Sequence, residues 1–171
     1  MAGSTTREEL RELQRPLKDR YRENPAAAQI TLSADGSLEQ GVSCSVQAGH
    51  TLVEAGLHPD TGGDGTLACS GDLLLQALVA CAGVTMRSVA TSMGLAVTGA
   101  VHAEGDLDWR GTLAVDKEVT VGFEEIRLRF EVEAEASDEE LATLQRLTER
   151  YCVVFQTLAG SPALSVSVDR A

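Results

Sequence analysis

A mixed α/β protein of one domain is what this sequence predicts, and three stretches of it carry that prediction. From Ser70 to about Met93, Leu73, Leu74, Leu75, Ala77, Leu78, Val79, Ala80, Cys81, Ala82, Val84 and Met86 leave almost no polar face over the first four turns of a helix. Ile126, Leu128, Phe130, Val132 and Ala134 alternate with Glu125, Arg127, Arg129, Glu131 and Glu133, the period of a strand with one buried and one wet face. Ser137-Asp138-Glu139-Glu140 is a capping box that opens a second helix. A chain of 171 residues, 43% of them hydrophobic, is long enough to bury a core. With 4% aromatic residues, that core rests on Leu, Val and Ala.

In chain order, Arg7 to Arg22 reads as a helix. Thr5 or Thr6 caps it, Glu8 and Glu9 lie in its first turn, and Leu10, Leu13, Leu17 and Tyr21 form its apolar stripe. Pro16 inside the pattern predicts a kink or two shorter helices. Short strands are expected at Gln29 to Leu32, Val42 to Val46 and Thr51 to Val53, with turns at Asp35-Gly36 and Ala48-Gly49. The run from His58 to Thr66 is too rich in glycine and polar residues for a regular element. The apolar helix from Ser70 has the pattern of one buried on every side, and Gly94 ends it. Strands follow at Ala96 to Glu104 and Val119 to Ala134, with a turn or bulge at Trp109-Arg110-Gly111. The last helix carries Leu141, Leu144, Leu147 and Tyr151, runs on through Cys152 to Leu158, and stops at Gly160-Ser161-Pro162. Ala163 to Val168 is a final strand.

Composition excludes several classes of function. With 26 acidic against 14 basic residues, the net charge of -12 repels a phosphate backbone, so no nucleic acid partner is expected. The start of the chain lacks the pattern of a secretory signal, and no uninterrupted apolar stretch reaches the length of a bilayer span. Cysteines at 44, 69, 81 and 152 have neither zinc-ribbon spacing nor the density of a disulfide scaffold. These features predict a soluble cytoplasmic protein with reduced thiols, no membrane partner and no metal or other cofactor.

The candidate chemistry lies in Cys81 and Cys152. Thr85 and Ser88, four and seven residues after Cys81, share its helical stripe. A hydroxyl one turn away can donate to a thiolate and lower its pKa, although a cation has the larger effect. A structural role is the competing reading, in which Cys81 is a small buried hydrophobe and Thr85 bonds back to its own helix. Cys152 follows Arg150-Tyr151 and has the same alternative. Asp72, nine residues before Cys81, falls on the opposite face of the helix and suits its N-terminal dipole. Cys44 in a strand and Cys69 near a helix cap are read as structural.

Gly62-Gly63-Asp64-Gly65, then Ser70 through Thr85, then Tyr151 through Leu158 resemble, in that order, the OsmC/Ohr family of osmotically induced and organic hydroperoxide resistance proteins. The likeness extends over about residues 26 to 169 and leaves residues 1–25 as an N-terminal helical extension before an OsmC-like domain at 26–171. It implies an α+β fold in an intertwined homodimer, with antiparallel sheets around long central helices. It further implies that Cys81 is peroxidatic and Cys152 resolving, that the substrate is an organic hydroperoxide, and that an external dithiol reductant restores the thiols.

In the hydroperoxide resistance branch an arginine from the first hairpin and a glutamate on the central helix hold the thiolate. Here no arginine occurs between Arg22 and Arg87, and Gly71 stands at the position of the glutamate. Either Arg15, Arg20 or Arg22 of the extension supplies the cation, or Cys81 is weakly activated and the extension serves packing. The alternative function is a non-enzymatic dimer that binds an apolar small molecule.

Overall fold

The computed structural model describes residues 5–38, 42–48 and 50–170 and has the mixed α+β composition expected. Helix α1 (Arg7–Glu23) opens with a complete capping box: Glu9 N donates to Thr6 Oγ1 at 3.2 Å, and Thr6 N donates to the Glu9 carboxylate at 2.8 Å. Pro16 lies inside one continuous helix, so two shorter helices are not formed. A 3-10 turn at Pro25–Ala28 follows.

Strands β1 (Asp35–Leu38), β2 (Ser43–Ala48), β3 (Thr51–Gly56) and β4 (Ala68–Cys69) make one sheet in that order. The first three pair antiparallel, whereas β4 joins β3 in parallel. This corrects several expectations. Asp35-Gly36 is no turn but the start of β1, facing Gln47 and Val46 across the ladder. Gly36 fits there because a Cβ would lie 3.1 Å from Cys44 Sγ. The expected turn at Ala48-Gly49 falls in part on Gly49, outside the described residues, and Ala48 itself closes β2. Gln29 to Leu32 forms no strand, because no ladder among the described residues accepts its backbone.

Helix α2 (Ser70–Met93) has the predicted bounds, and Gly94 closes it at φ +79°, a conformation that costs other residues a Cβ clash. In the chain its burial is one-sided: Leu78, Ala82, Met86 and Ala90, at four-residue spacing, are its buried residues, while Val84 is exposed. Among the described residues α2 is long and apolar enough, by length and composition, to cross a membrane. No uninterrupted run gives that property; it comes from apolar residues spread over 24 positions.

Strands β5 (Val97–Leu107) and β6 (Phe123–Ala134) form a long antiparallel ribbon, with a register shift at Asp106/Leu107. The expected turn at Trp109-Arg110-Gly111 is a single helical turn, α3 (Trp109–Thr112), capped by Asp108. Met86, Ala90, Val97 and Leu144 form the core cluster, which Phe130 and Ala134 of β6 cover. Ala163 to Val168, expected as a strand, has no ladder among the described residues, and Leu164, Val166 and Val168 are 90%, 93% and 92% exposed.

The C-terminal helix is two helices. After the predicted capping box at Ser137, α4 (Asp138–Tyr151) ends and α5 (Val153–Gly160) begins, with Cys152 between them at ψ 108°. The chain turns without losing hydrogen bonds. Cys152 N donates to Thr148 O at 2.9 Å, and Cys152 O accepts from Gln156 N at 2.9 Å. The Gln156 amide donates to Glu149 O at 2.8 Å, satisfying a carbonyl that the end of α4 leaves open.

Candidate active site

The break at Cys152 builds the site. By ending one helix and starting another at this residue, the chain buries Cys152 to 1% exposure and places the first turn of α5 directly after it. Cys81, midway along α2 and half-buried, is influenced by that junction: the backbone N–H groups of Val154 and Val153 favour its thiolate. The Cys152 thiol and the Thr85 hydroxyl favour the same thiolate. All four described cysteines are free thiols.

These contacts set the two thiols apart. Burial pushes the Cys81 pKa up, but the two amides, the Cys152 thiol and the Thr85 hydroxyl together outweigh it and leave Cys81 below the ordinary thiol value. For Cys152 burial also raises the pKa, and the negative charge that develops on Cys81 raises it further, against the opposing Phe155 and Val154 amides. A donor set aimed at one sulfur and a neighbour that keeps its proton suit a thiolate beside a thiol. The sequence suggested Thr85 through its spacing. It gave no sign of the amide donors, because nothing in Tyr151-Cys152-Val153-Val154 marks the end of a helix.

Other expectations resolve by position. Asp72 lies exposed in the first turn of α2, away from Cys81. Gly71 stands about 15 Å before Cys81 along the axis, at a helical rise of about 1.5 Å per residue, and its Cβ position faces Phe123 and Cys69. No cation is among the groups that shift Cys81. Arg15 and Arg22 border a groove along α1 with Arg11, Lys18, Glu8 and Glu12, and Arg20 lies over the Tyr21 ring at 5.1 Å. Arg150 lies over the ring of Tyr151, which is itself exposed. Cys44 and Cys69 are two strands apart: Cys44 pairs with Ala55, and Cys69 with Gly56. No group of three or more His, Cys, Asp or Glu residues suited to a metal occurs among the described residues.

A groove of about 530 Å³ runs between α4 and β6. Leu128, Phe130, Val132, Leu141 and Leu144 line it, together with Met86 of α2 and Phe155 of α5. Its outer edge carries Arg129, Asp138, Gln145 and Glu149.

Comparison with known proteins agrees with this architecture. No curated protein matches the chain. An OsmC-like protein of Mycoplasma pneumoniae is similar in structure, with a TM-score of 0.65 at 16% identity, over 77% of this chain and 89% of that one. An OsmC-like protein of unknown function from Vibrio cholerae gives 0.62 at 13% identity, over 75% and 94%. An organic hydroperoxide resistance protein from Legionella pneumophila gives 0.54 at 15%, over 78% and 92%. These likenesses concern the fold. Residues 63–167 match the family profile described as OsmC-like protein, a span holding α2, the β5–β6 ribbon and both candidate cysteines, and the chain belongs to that family.

Proposed function

We propose that this chain is a thiol-dependent peroxidase that reduces organic hydroperoxides, alkyl or lipid, to alcohols. The observation that carries the reading is the pairing of Cys81 with Cys152 at the α4–α5 junction, where the Val153 and Val154 amides and the Cys152 thiol favour a Cys81 thiolate while Cys152 keeps its proton. The Cys81 thiolate attacks the distal oxygen of the hydroperoxide, the O–O bond breaks, and the departing alkoxide takes a proton to leave as an alcohol. Cys81 is then a sulfenic acid. The Cys152 sulfur attacks it, forming the Cys81–Cys152 disulfide and releasing water. An external dithiol is oxidised to its own disulfide as it returns both cysteines to thiols. No cofactor takes part, and the protein works in the reducing cytoplasm.

A homodimer is part of the proposal, and accessible surface supports it. The chain exposes 13156 Å², whereas a compact monomer of this mass exposes about 8,000 Å². Val84 on α2 and the alternating Leu164, Val166 and Val168 contribute apolar area to that surplus. The extension at residues 1–25 is read as an addition to an OsmC-like domain at 26–171.

Intact mass before and after one equivalent of cumene hydroperoxide tests the chemistry. The expected result is loss of two hydrogens, reversed by dithiol and abolished by Cys81→Ser or Cys152→Ser. An unchanged mass, or a loss that survives Cys81→Ser, overturns it. The apolar groove favours one other reading, a non-enzymatic dimer that holds an apolar small molecule and keeps its thiols reduced. Rapid disulfide formation under the same conditions rules that out.

A further inference from the structure

We infer that α1 is an interface segment, whose free face seats in the groove between α4 and β6 of a second copy of the chain. The inference rests on the homodimer reading, to which it adds a contact, and is independent of the peroxidase chemistry. At about 100° per residue, α1 sorts its side chains into sectors. Arg7, Arg11, Arg15, Lys18 and Arg22 fall within about 80° of one another, and Leu10, Leu13, Leu17 and Tyr21 fill a neighbouring sector of about the same width. Leu10 and Tyr21 are half-buried, whereas Leu13 and Leu17 are exposed. Arg22 pairs with Asp19, but Arg11, Arg15 and Lys18 have no ion pair among the described residues. The helix thus presents an apolar edge beside a row of unpaired cations, in a chain whose net charge is -12.

Such a face fits an apolar groove bordered by carboxylates. The groove between α4 and β6 is one. Leu128, Phe130, Leu141 and Leu144 form its wall, and Asp138 and Glu149 stand on its α4 edge, neither with a cation partner among the described residues. The spacing matches as well. Asp138 and Glu149 are 11 residues apart on α4, as are Arg11 and Arg22 on α1, so each pair spans about 16 Å on one side of its helix. Two helices side by side then bring a cation to a carboxylate at both ends of the contact. The apolar groove beside Tyr151 and Val153 is bordered instead by Arg150, which repels the row. Among the described residues, none of α1 lines the α4–β6 groove of its own chain. It packs on α2, where Arg7 Nη1 is 3.8 Å from the Cβ position of Gly94. Another copy must therefore supply the helix. An anionic lipid surface also suits a basic, apolar helix, but the acidic remainder of the chain is repelled by it.

Two complementary copies, co-expressed with different tags, test this. One carries Asp138→Asn and Glu149→Gln and keeps Lys18; the other carries Lys18→Arg and keeps both carboxylates. A carbodiimide, which joins an amine to a carboxylate in direct contact, can then link Lys18 to Asp138 or Glu149 only between copies. The expected result is that link, located by peptide mapping in the co-expressed pair and in neither copy alone. Adding Leu13→Ser and Leu17→Ser to the first copy, at positions exposed in the chain, is expected to lower its yield by about tenfold or more. A pair that co-purifies as a dimer without the link, or a link whose yield survives both serine substitutions, overturns the inference and leaves the dimer standing. Binding of the parent to phosphatidylglycerol vesicles with no link assigns α1 to a lipid surface and overturns it too. A monomeric parent ends the dimer reading and this inference with it.

Discussion

Cys81 and Cys152 are the same residue type and act on each other, and their surroundings push them in opposite directions. Removing the Cys152 thiol takes a donor from Cys81, so Cys152→Ala is expected to raise the pH at which Cys81 alkylates. The same variant should accumulate a sulfenic acid that a cyclic dione probe captures after peroxide, since no second thiol is there to condense with it. Absence of both effects would separate the two residues functionally. Linkage adds a stability signature. The folded pKa of Cys81 lies below its unfolded value, so its ionisation contributes stability that is present above the unfolded thiol pKa of about 8.5 and lost as pH falls through the folded value. The melting temperature of the reduced parent, relative to Cys81→Ser, is therefore expected to rise as pH increases through that window. A difference that is flat or shrinks with pH contradicts the assignment of Cys81 as the ionised member.

Helices in this protein are set by local signals at some ends and by tertiary packing at others. Ser137 closes a full capping box with Glu140, so Ser137→Ala is expected to cost about 1 kcal/mol, read as a lower melting temperature with unchanged secondary structure. A loss below a few tenths of a kcal/mol would place the hold on α4 in its packing instead. Such ends were legible in the sequence: the N-cap of α1, the capping box of α4, the glycine after α2 and the alternation of β6 are encoded within a few residues. The break at Cys152 was not, because it contains no glycine or proline and both helices keep their hydrogen bonds across it. What it achieves, a buried Cys152 and two amides on Cys81, involves a helix some seventy positions earlier in the chain. The site was thus legible as two cysteines and one threonine, while its backbone donors were hidden. Asp35-Gly36 misled for a related reason. The pair has the composition of a turn, and only the ladder with β2 shows that it extends the strand.

On the scale of the whole molecule, the unpaired strand candidates and the one-sided burial of α2 have one explanation. Gln29 to Leu32 and Ala163 to Val168 have strand character with no ladder among the described residues, and α2 has an apolar surface beyond the stripe it buries. A second copy that supplies ladders and covers α2 would remove part of the surplus exposed area, about 5,000 Å² per chain above a compact monomer, since an obligate interface buries about 2,000 to 5,000 Å² counted over both partners. Val84 tests this directly because it is 72% exposed in the chain. On a solvent-facing helix surface, Val84→Asp changes stability by about 0.5 kcal/mol or less. In a dimer centred on α2 it buries an unpaired carboxylate and drives the copies apart. Sedimentation at micromolar concentration is expected to show a dimeric parent and a largely monomeric Val84→Asp. A monomeric parent ends the dimer reading. A Val84→Asp protein that stays dimeric moves the contact away from α2 and onto the C-terminal strand, where Val166→Asp, at a position 93% exposed in the chain, becomes the substitution that must break it.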